Sequence, residues 1–181
     1  MDETYKNAAP SYTVNFNIAQ RTKKAGYYLS GEYYRQDGMF KKGNDIYDRY
    51  NMRAKVDFQL TNWLNISNNT SFAFRKYDKP NIDMESFFHE VNRKSTLDVV
   101  RNPDGTYTKS GGAILGLLEN GGRSINDRRD FSTTFAATID LLKDVWQIKA
   151  DATFRRDSER TRRASLPYSY KQGPEMALEQ N

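Results

Sequence analysis

Cysteine is absent from all 181 residues, which excludes disulfides, thiolate metal sites and thiol nucleophiles. Histidine occurs once, as His89. A metal centre draws on three or four convergent ligands, and His89 has only Glu85 and Glu90 beside it, so it reads as a surface or loop residue. No apolar run approaches the ~18 residues of a membrane-crossing helix; the best is Ala113-Ile-Leu-Gly-Leu-Leu118. Apolar residues make up only 37% of the chain and the mean hydropathy is -0.88, so a thick soluble core would be poorly supplied. The start, Met1-Asp-Glu-Thr, has neither the basic nor the apolar region of an export signal; an exported protein would carry its signal elsewhere, and the chain is expected to be a piece of something longer. Catalytic signatures are missing as well. Gly111-Gly112 and Gly121-Gly122 lack the Lys-Ser/Thr of a phosphate loop, no nucleophile elbow surrounds any serine, and Asp83 and Glu85 are carboxylates of a loop without a pocket. No enzyme, cofactor or metal site is expected.

Aromatic residues and alternation are what the chain does have. Aromatics reach 13%, with 12 Tyr and 10 Phe, a supply that suits strands and interfacial girdles. Six stretches alternate apolar and polar residues with a period of two, near 12–20, 27–36, 50–60, 64–75, 131–141 and 146–156. The clearest sets Tyr50, Met52, Ala54, Val56, Phe58 and Leu60 against Asn51, Arg53, Lys55, Asp57 and Gln59. About ten residues is also the length of a tilted strand crossing a bilayer.

The connections run short, long, short, very long, short. Residues 21–26, 61–63 and 142–145 are tight turns; 36–45 is a loop, and 76–129 is a very long one. Outer-membrane barrels have this order, with short periplasmic turns and longer extracellular loops. Trp63 and Trp146 each stand beside a short turn, as interfacial rings do. The fold expected is all-β, an antiparallel transmembrane β-barrel fragment of about six strands of a larger barrel, with one long extracellular loop. The alternative is a small soluble β-barrel or sandwich that binds a ligand, in which the apolar faces would form the core. Inside the long loop, 83–92 reads as a short helix with Asp83 as N-cap. Asn102-Pro-Asp-Gly105 signals a turn between 97–101 and 106–109, and the Gly pairs bracket one or two helical turns. The tail from Asp157 shows no clear element.

Several runs carry a family resemblance: Ala9-Pro-Ser-Tyr12 through Tyr27-Tyr-Leu-Ser-Gly31, then Gln36-Asp-Gly38, Asp48-Arg-Tyr-Asn-Met-Arg53 and Thr61-Asn-Trp-Leu64. In this order they resemble the SusC/RagA family of TonB-dependent outer-membrane transporters of Bacteroidetes. The likeness is good over 9–75; from there to 156 it rests on architecture. Ala19-Gln-Arg-Thr22 departs from the Gly-Gly turn that is more usual at that point. The resemblance implies a barrel of about 22 strands plugged by an N-terminal domain, placed in the bacterial outer membrane. It implies energised uptake of oligosaccharides or peptides without chemistry on the substrate. The implied partners are a SusD-like lipoprotein over the extracellular mouth, outer-membrane lipid, and TonB, contacted through a region absent from this chain. On this view residues 1–181 belong to the barrel domain and the plug domain is absent.

For contact with substrate or lid, the long loop offers Phe87, Phe88, Tyr107 and Arg123, a set suited to stacking and hydrogen bonding. Arg53, Lys55 and Asp57, with Lys149, Asp151 and Arg155, are expected to face the lumen and hold a plug. Arg155, Arg156, Arg160, Arg162 and Arg163 form the most basic cluster. It is interleaved with Asp157 and Glu159, so it reads as a solvated loop or a contact for lipopolysaccharide phosphates or the partner protein. Nucleic acid is not expected as a partner, although the net charge of +5 would permit it.

Overall fold

The computed structural model describes residues 4–95, 97–142 and 145–180. Six strands form one antiparallel meander in chain order: β1 (Ser11–Arg21), β2 (Ala25–Asp37), β3 (Ile46–Gln59), β4 (Leu64–Pro80), β5 (Gly122–Leu142) and β6 (Trp146–Ser165). The sheet does not close: β1 and β6 are its two edges. Helical pieces occupy the β4–β5 connection, α1 (Met84–Arg93) and then α2 (Lys109–Gly111), a π-helical turn (Gly112–Gly116) and α3 (Leu117–Asn120) in one unbroken rod. A two-residue pair, β7 (Ser169–Tyr170) with β8 (Glu179–Gln180), follows the sheet.

Each alternating stretch became a strand, but the strands run further than the alternation does. β3 begins at Ile46, β4 continues to Pro80, β5 starts at Gly122 and β6 reaches Ser165. The long connection is therefore 81–121 rather than 76–129, and the tail beyond Asp157 is largely strand. The reason is chemical. Above the apolar zone both faces of β4, β5 and β6 are mostly polar, which hides the period of two, yet the ladder continues from Phe74↔Arg129 to Pro80↔Arg123. Ion pairs between adjacent strands accompany it, Asp78 with Arg123 and Asp127 with Arg162. Helix α1 forms where the sequence places it, and the Asp83 carboxylate accepts from the Ser86 amide at 2.9 Å as N-cap. The hairpin expected around Asn102–Gly105 is reduced to a single bridge between Arg101 and Tyr107, turned at Gly105 with φ of 82°.

All three short turns lie at one end of the sheet. In two of them the closing bonds are tight, Thr22 N to the Ala25 carbonyl at 2.7 Å and Leu60 N to the Leu64 carbonyl at 3.0 Å. In the third, at 142–145, Lys143 and Asp144 lie outside the described residues, as do residues 1–3.

At the opposite end the long connections pack on one another. Phe40 from the β2–β3 loop, Phe87 of α1 and Leu118 of α3 form a small closed core, flanked by Tyr5, Ile82, Met84, Val91 and Ile114. Tyr107, Leu115 and Tyr170 form a second core, against which Tyr168 packs. Gly112 faces the Tyr168 ring closely enough that an added Cβ would stand 3.1 Å from it, whereas one at Gly116 would make ordinary contact with Tyr107 and Tyr168.

Gly122 joins this cap to β5 with φ of 98°, and a Cβ there would collide with the Ala164 carbonyl oxygen. Gly122→Ala is expected to cost ~1–2 kcal/mol from the left-handed backbone alone, with the collision adding to it. Hydrogen exchange should quicken at 122–125 and 162–165 while the middle of the sheet stays protected.

Candidate functional site

The sheet has two chemically opposite faces, and its curvature distinguishes them. A trough of about 700 Å3 is lined by residues of all six strands, which is possible only on the concave side. Two full register rows floor it: Asn15, Glu32, Asn51, Ala73, Asp130 and Asp157, then Asn17, Ser30, Arg53, Ser71, Ser132 and Arg155. This face is held by polar contacts between strands. Arg49 pairs with Glu32 at 2.7 Å, Asn51 donates to the same carboxylate at 2.9 Å, Arg75 pairs with Asp130 at 2.9 Å, and Arg53 donates to Asn69 at 3.0 Å. These pairs are about a third exposed, so they stabilise modestly, on the order of 0–1 kcal/mol each. Arg49 Nε is buried without a partner among the described residues. The residues expected to point inward, Arg53, Lys55 and Asp57 on β3 with Lys149, Asp151 and Arg155 on β6, all belong to this polar face by register.

The convex face is apolar in a band. It carries Tyr12, Val14, Phe16 and Ile18 on β1, Tyr50, Met52, Ala54, Val56 and Phe58 on β3, and Ile148, Ala150, Ala152 and Phe154 on β6. Val14, Phe16, Ile18, Met52, Phe58 and Phe154 are each more than half exposed, so an extensive apolar surface has no cover among the described residues.

The band does not follow the register rows. Tyr12 is in register with Arg160 and Ile18 with Phe154, through the intervening strands. The apolar segment of β6, from Ile148 to Phe154, therefore sits six positions lower than that of β1, from Tyr12 to Ile18. With ~3.4 Å per residue and ~4.8 Å between strands, a drop of about 20 Å across about 24 Å inclines the band by about 40° to the perpendicular of the strands.

Two further features mark the band. Its upper edge is an aromatic ladder: Tyr12 packs edge-on to Tyr33 at 5.8 Å, Tyr33 stacks on Tyr50 at 4.7 Å, and Tyr50 stacks on Phe74 at 6.0 Å. Trp63 and Trp146 stand exposed at the short-turn end. Within the band, Asn68, Thr70 and Thr133 are polar but mutually bonded. Asn68 Nδ2 donates to Thr133 Oγ1 at 3.0 Å and to the Thr134 carbonyl at 3.2 Å, Thr70 Oγ1 donates to Asn68 Oδ1 at 2.9 Å, and the two threonine hydroxyls meet at 2.8 Å. Every side-chain donor of the group has a protein acceptor.

The four loop residues singled out for substrate or lid contact are not brought together. Phe87 fills the first cap core and is 2% exposed. Tyr107 fills the second; its hydroxyl donates to Glu119 at 2.5 Å and accepts from Arg101 at 2.9 Å, with the Arg101 guanidinium 4.1 Å from its ring. Arg123 is ion-paired with Asp78 at the start of β5. Phe88 alone presents its ring, at 40% exposure, edge-on to Phe87. The sequence offered no signal that Phe87 rather than Phe88 would be the buried member. Helical spacing does not separate them, since both stand three or four positions from Met84 and Val91; the packing does, because Phe87 is the one that meets Phe40 and Leu118.

Burial raises the Tyr107 hydroxyl to a pKa of about 12, reinforced by the Glu119 hydrogen bond, and the same bond lowers Glu119. The bonded form needs Glu119 ionised and Tyr107 protonated. Its contribution is therefore complete at neutral pH. It is lost on the acid side as pH falls through the lowered Glu119 pKa, and on the alkaline side as pH rises through about 12. Glu119→Gln should keep the cap folded but bring Tyr107 ionisation back toward the ordinary phenol range, read by ultraviolet titration of tyrosinate.

Among the described residues no group of three or more potential metal ligands occurs, and no helix is long and apolar enough to cross a membrane, which says nothing about strands. Comparison of the chain with protein-family models and with curated protein sequences found no match.

Proposed function

We propose that this chain is part of the wall of an outer-membrane β-barrel, and specifically of a TonB-dependent transporter resembling the SusC/RagA family. The observation that carries the reading is the inclined apolar band. A barrel wall needs its strands tilted by 35–45° so that a lipid-facing belt lies level while the register is staggered, and the inclination here is about 40° by the spacings of a β-sheet. The polarity supports the same reading. The apolar side is convex and the polar side concave, whereas a small soluble barrel or sandwich would bury its apolar rows inside the curve. The closed hydrogen bonds of Asn68, Thr70 and Thr133 suit lipid, where an unpaired donor costs several kcal/mol.

In this reading β1 and β6 pair with further strands of the same wall, since open edges are not tolerated in hydrocarbon. The polar trough lines the lumen and contacts the plug. The cap built on Phe40, Phe87 and Leu118 lies outside the cell, where a SusD-like lipoprotein would meet it, and oligosaccharides or peptides pass without chemical change. TonB would act through a plug, not through this wall.

The absence of cysteine makes topology easy to test with single cysteines in the full chain. Leu97→Cys, which replaces a residue 88% exposed in the cap, should react with an impermeant maleimide on intact cells. Asn62→Cys in the β3–β4 turn should react only after the outer membrane is permeabilised. Labelling of Asn62→Cys on intact cells would overturn the reading.

A further inference from the structure

The convex face changes character abruptly on β4, β5 and β6. On each of these strands the last apolar residue of the band is a phenylalanine, and the next residue on the same face is a cation. Phe74 is followed by Lys76, Phe131 by Arg129 and Phe154 by Arg156. The pairs Phe74↔Arg129 and Phe131↔Arg156 are in register, so the three cations descend one step per strand, parallel to the band's edge. Neighbouring members of this diagonal are ~7–8 Å apart at their backbones. Arg129 and Arg156 are exposed and Lys76 is half-buried. The Arg129 guanidinium rests over the Phe74 ring at 5.6 Å.

The surrounding charge is unbalanced. Higher on the same face of these strands stand Arg160, Arg162 and Arg123, against two carboxylates, Asp127 and Asp78. Both carboxylates are already engaged, Asp127 with Arg162 at 2.7 Å and Asp78 with Arg123. Among the described residues no carboxylate lies within ion-pairing distance of Lys76, Arg129, Arg156 or Arg160. On β2 and β3 the corresponding positions differ: Arg35, above Tyr33, is paired with Asp37 at 3.4 Å, and Asp48, above Tyr50, accepts from the Tyr33 hydroxyl at 2.7 Å. The unpaired cations are thus confined to one sector, three of them in the first row above the apolar band and Arg160 higher on β6.

Resting on the membrane-wall reading, we infer that Lys76, Arg129 and Arg156, with Arg160 above them, form a site for the phosphate groups of an anionic lipid headgroup in the outer leaflet. Phosphate at the headgroup level meets this row while the acyl chains lie against Phe74, Phe131 and Phe154. Guanidinium forks bind phosphate oxygens by paired N–H donors, which a lysine-only patch could not do. The site fixes one sector of the wall to phosphorylated lipid, and its strength falls with ionic strength.

The test uses the full chain, reconstituted in nanodiscs of phosphatidylcholine with or without diphosphorylated lipid A, compared with the variant Lys76→Gln/Arg129→Gln/Arg156→Gln. Arg163→Gln, on the concave face of β6, is the control. Three cations near an anionic surface contribute enough that the triple variant should bind lipid A about a hundredfold more weakly, with the control unchanged. Equal lipid A affinity in the triple variant overturns the inference. So does displacement of the lipid by millimolar inorganic phosphate, because the patch would then be a general anion site. Fractionation keeps the two claims apart: if the triple variant assembles in the outer membrane and lipid binding is unchanged, only the lipid site fails. If the unmodified chain is not found in the outer membrane, the wall reading itself fails.

Discussion

Arginine in place of Ala54 is expected to destabilise the assembled wall by ~2–4 kcal/mol, and glutamine in place of its neighbour Lys55 by far less. Ala54 is the middle residue of the band on β3, between Met52 and Val56, and stands in register with Leu29 and Thr70. A guanidinium there must either sit in hydrocarbon or bend toward the aromatic edge nearly two rows away. Lys55 belongs to the opposite face, in register with Tyr28 and Asn69, where water reaches it. Denaturant titration of the full protein in lipid, with the two variants measured side by side, gives the difference directly. The comparison is repeated for Val14→Arg and Asn15→Gln on β1. In the wall reading both convex substitutions are costly in lipid and neither concave one is.

Phe87→Ala should be the most damaging change in the cap, costing ~3–5 kcal/mol of local stability as a truncated buried aromatic does. Its ring is edge-on to Phe40 at 5.6 Å and closes the core with Leu118. The cavity opened would sit where three connections meet, so α1 and the β2–β3 loop should loosen together while the β-ladder keeps its protection from hydrogen exchange. Phe88→Ala should change stability by only about half a kcal/mol, as exposed positions do. The pair separates two roles that the sequence could not. If Phe88→Ala lowers uptake or lipoprotein binding with the cap intact, the exposed ring is a contact. If only Phe87→Ala does so, in step with loss of cap structure, the aromatics of α1 act through folding alone.

Strand existence and order were legible in the sequence because, through the apolar band, side chains alternate between apolar and polar surroundings. Strand ends were not legible where that contrast vanishes. From Lys76 to Pro80 and from Gly122 to Asp130 both faces are mostly polar, and the ladder with the Asp78–Arg123 and Asp127–Arg162 pairs reveals the strands. Helix α1 was legible from its cap, since Asp83 and Ser86 act within one turn. The interior of the cap was not, because its cores join residues as distant as Phe40 and Leu118, which no local period connects. For the same reason Phe87 and Tyr107 read as exposed aromatics, although each closes a core. The inclination of the band also needed the register: Tyr12 and Phe154 look alike in sequence, and only pairing through four intermediate strands shows that they border one sloping edge.

The central claim is that the convex face meets lipid and the concave face water. Spin labels placed singly at 52, 53, 54, 55 and 56 of the full chain, reconstituted in bilayers, test it most directly. The labels at 52, 54 and 56 should be relaxed by dissolved oxygen and shielded from a water-soluble nickel chelate, and those at 53 and 55 should show the opposite. Chelate access at 54 and 56 with oxygen access at 53 and 55 would contradict the account.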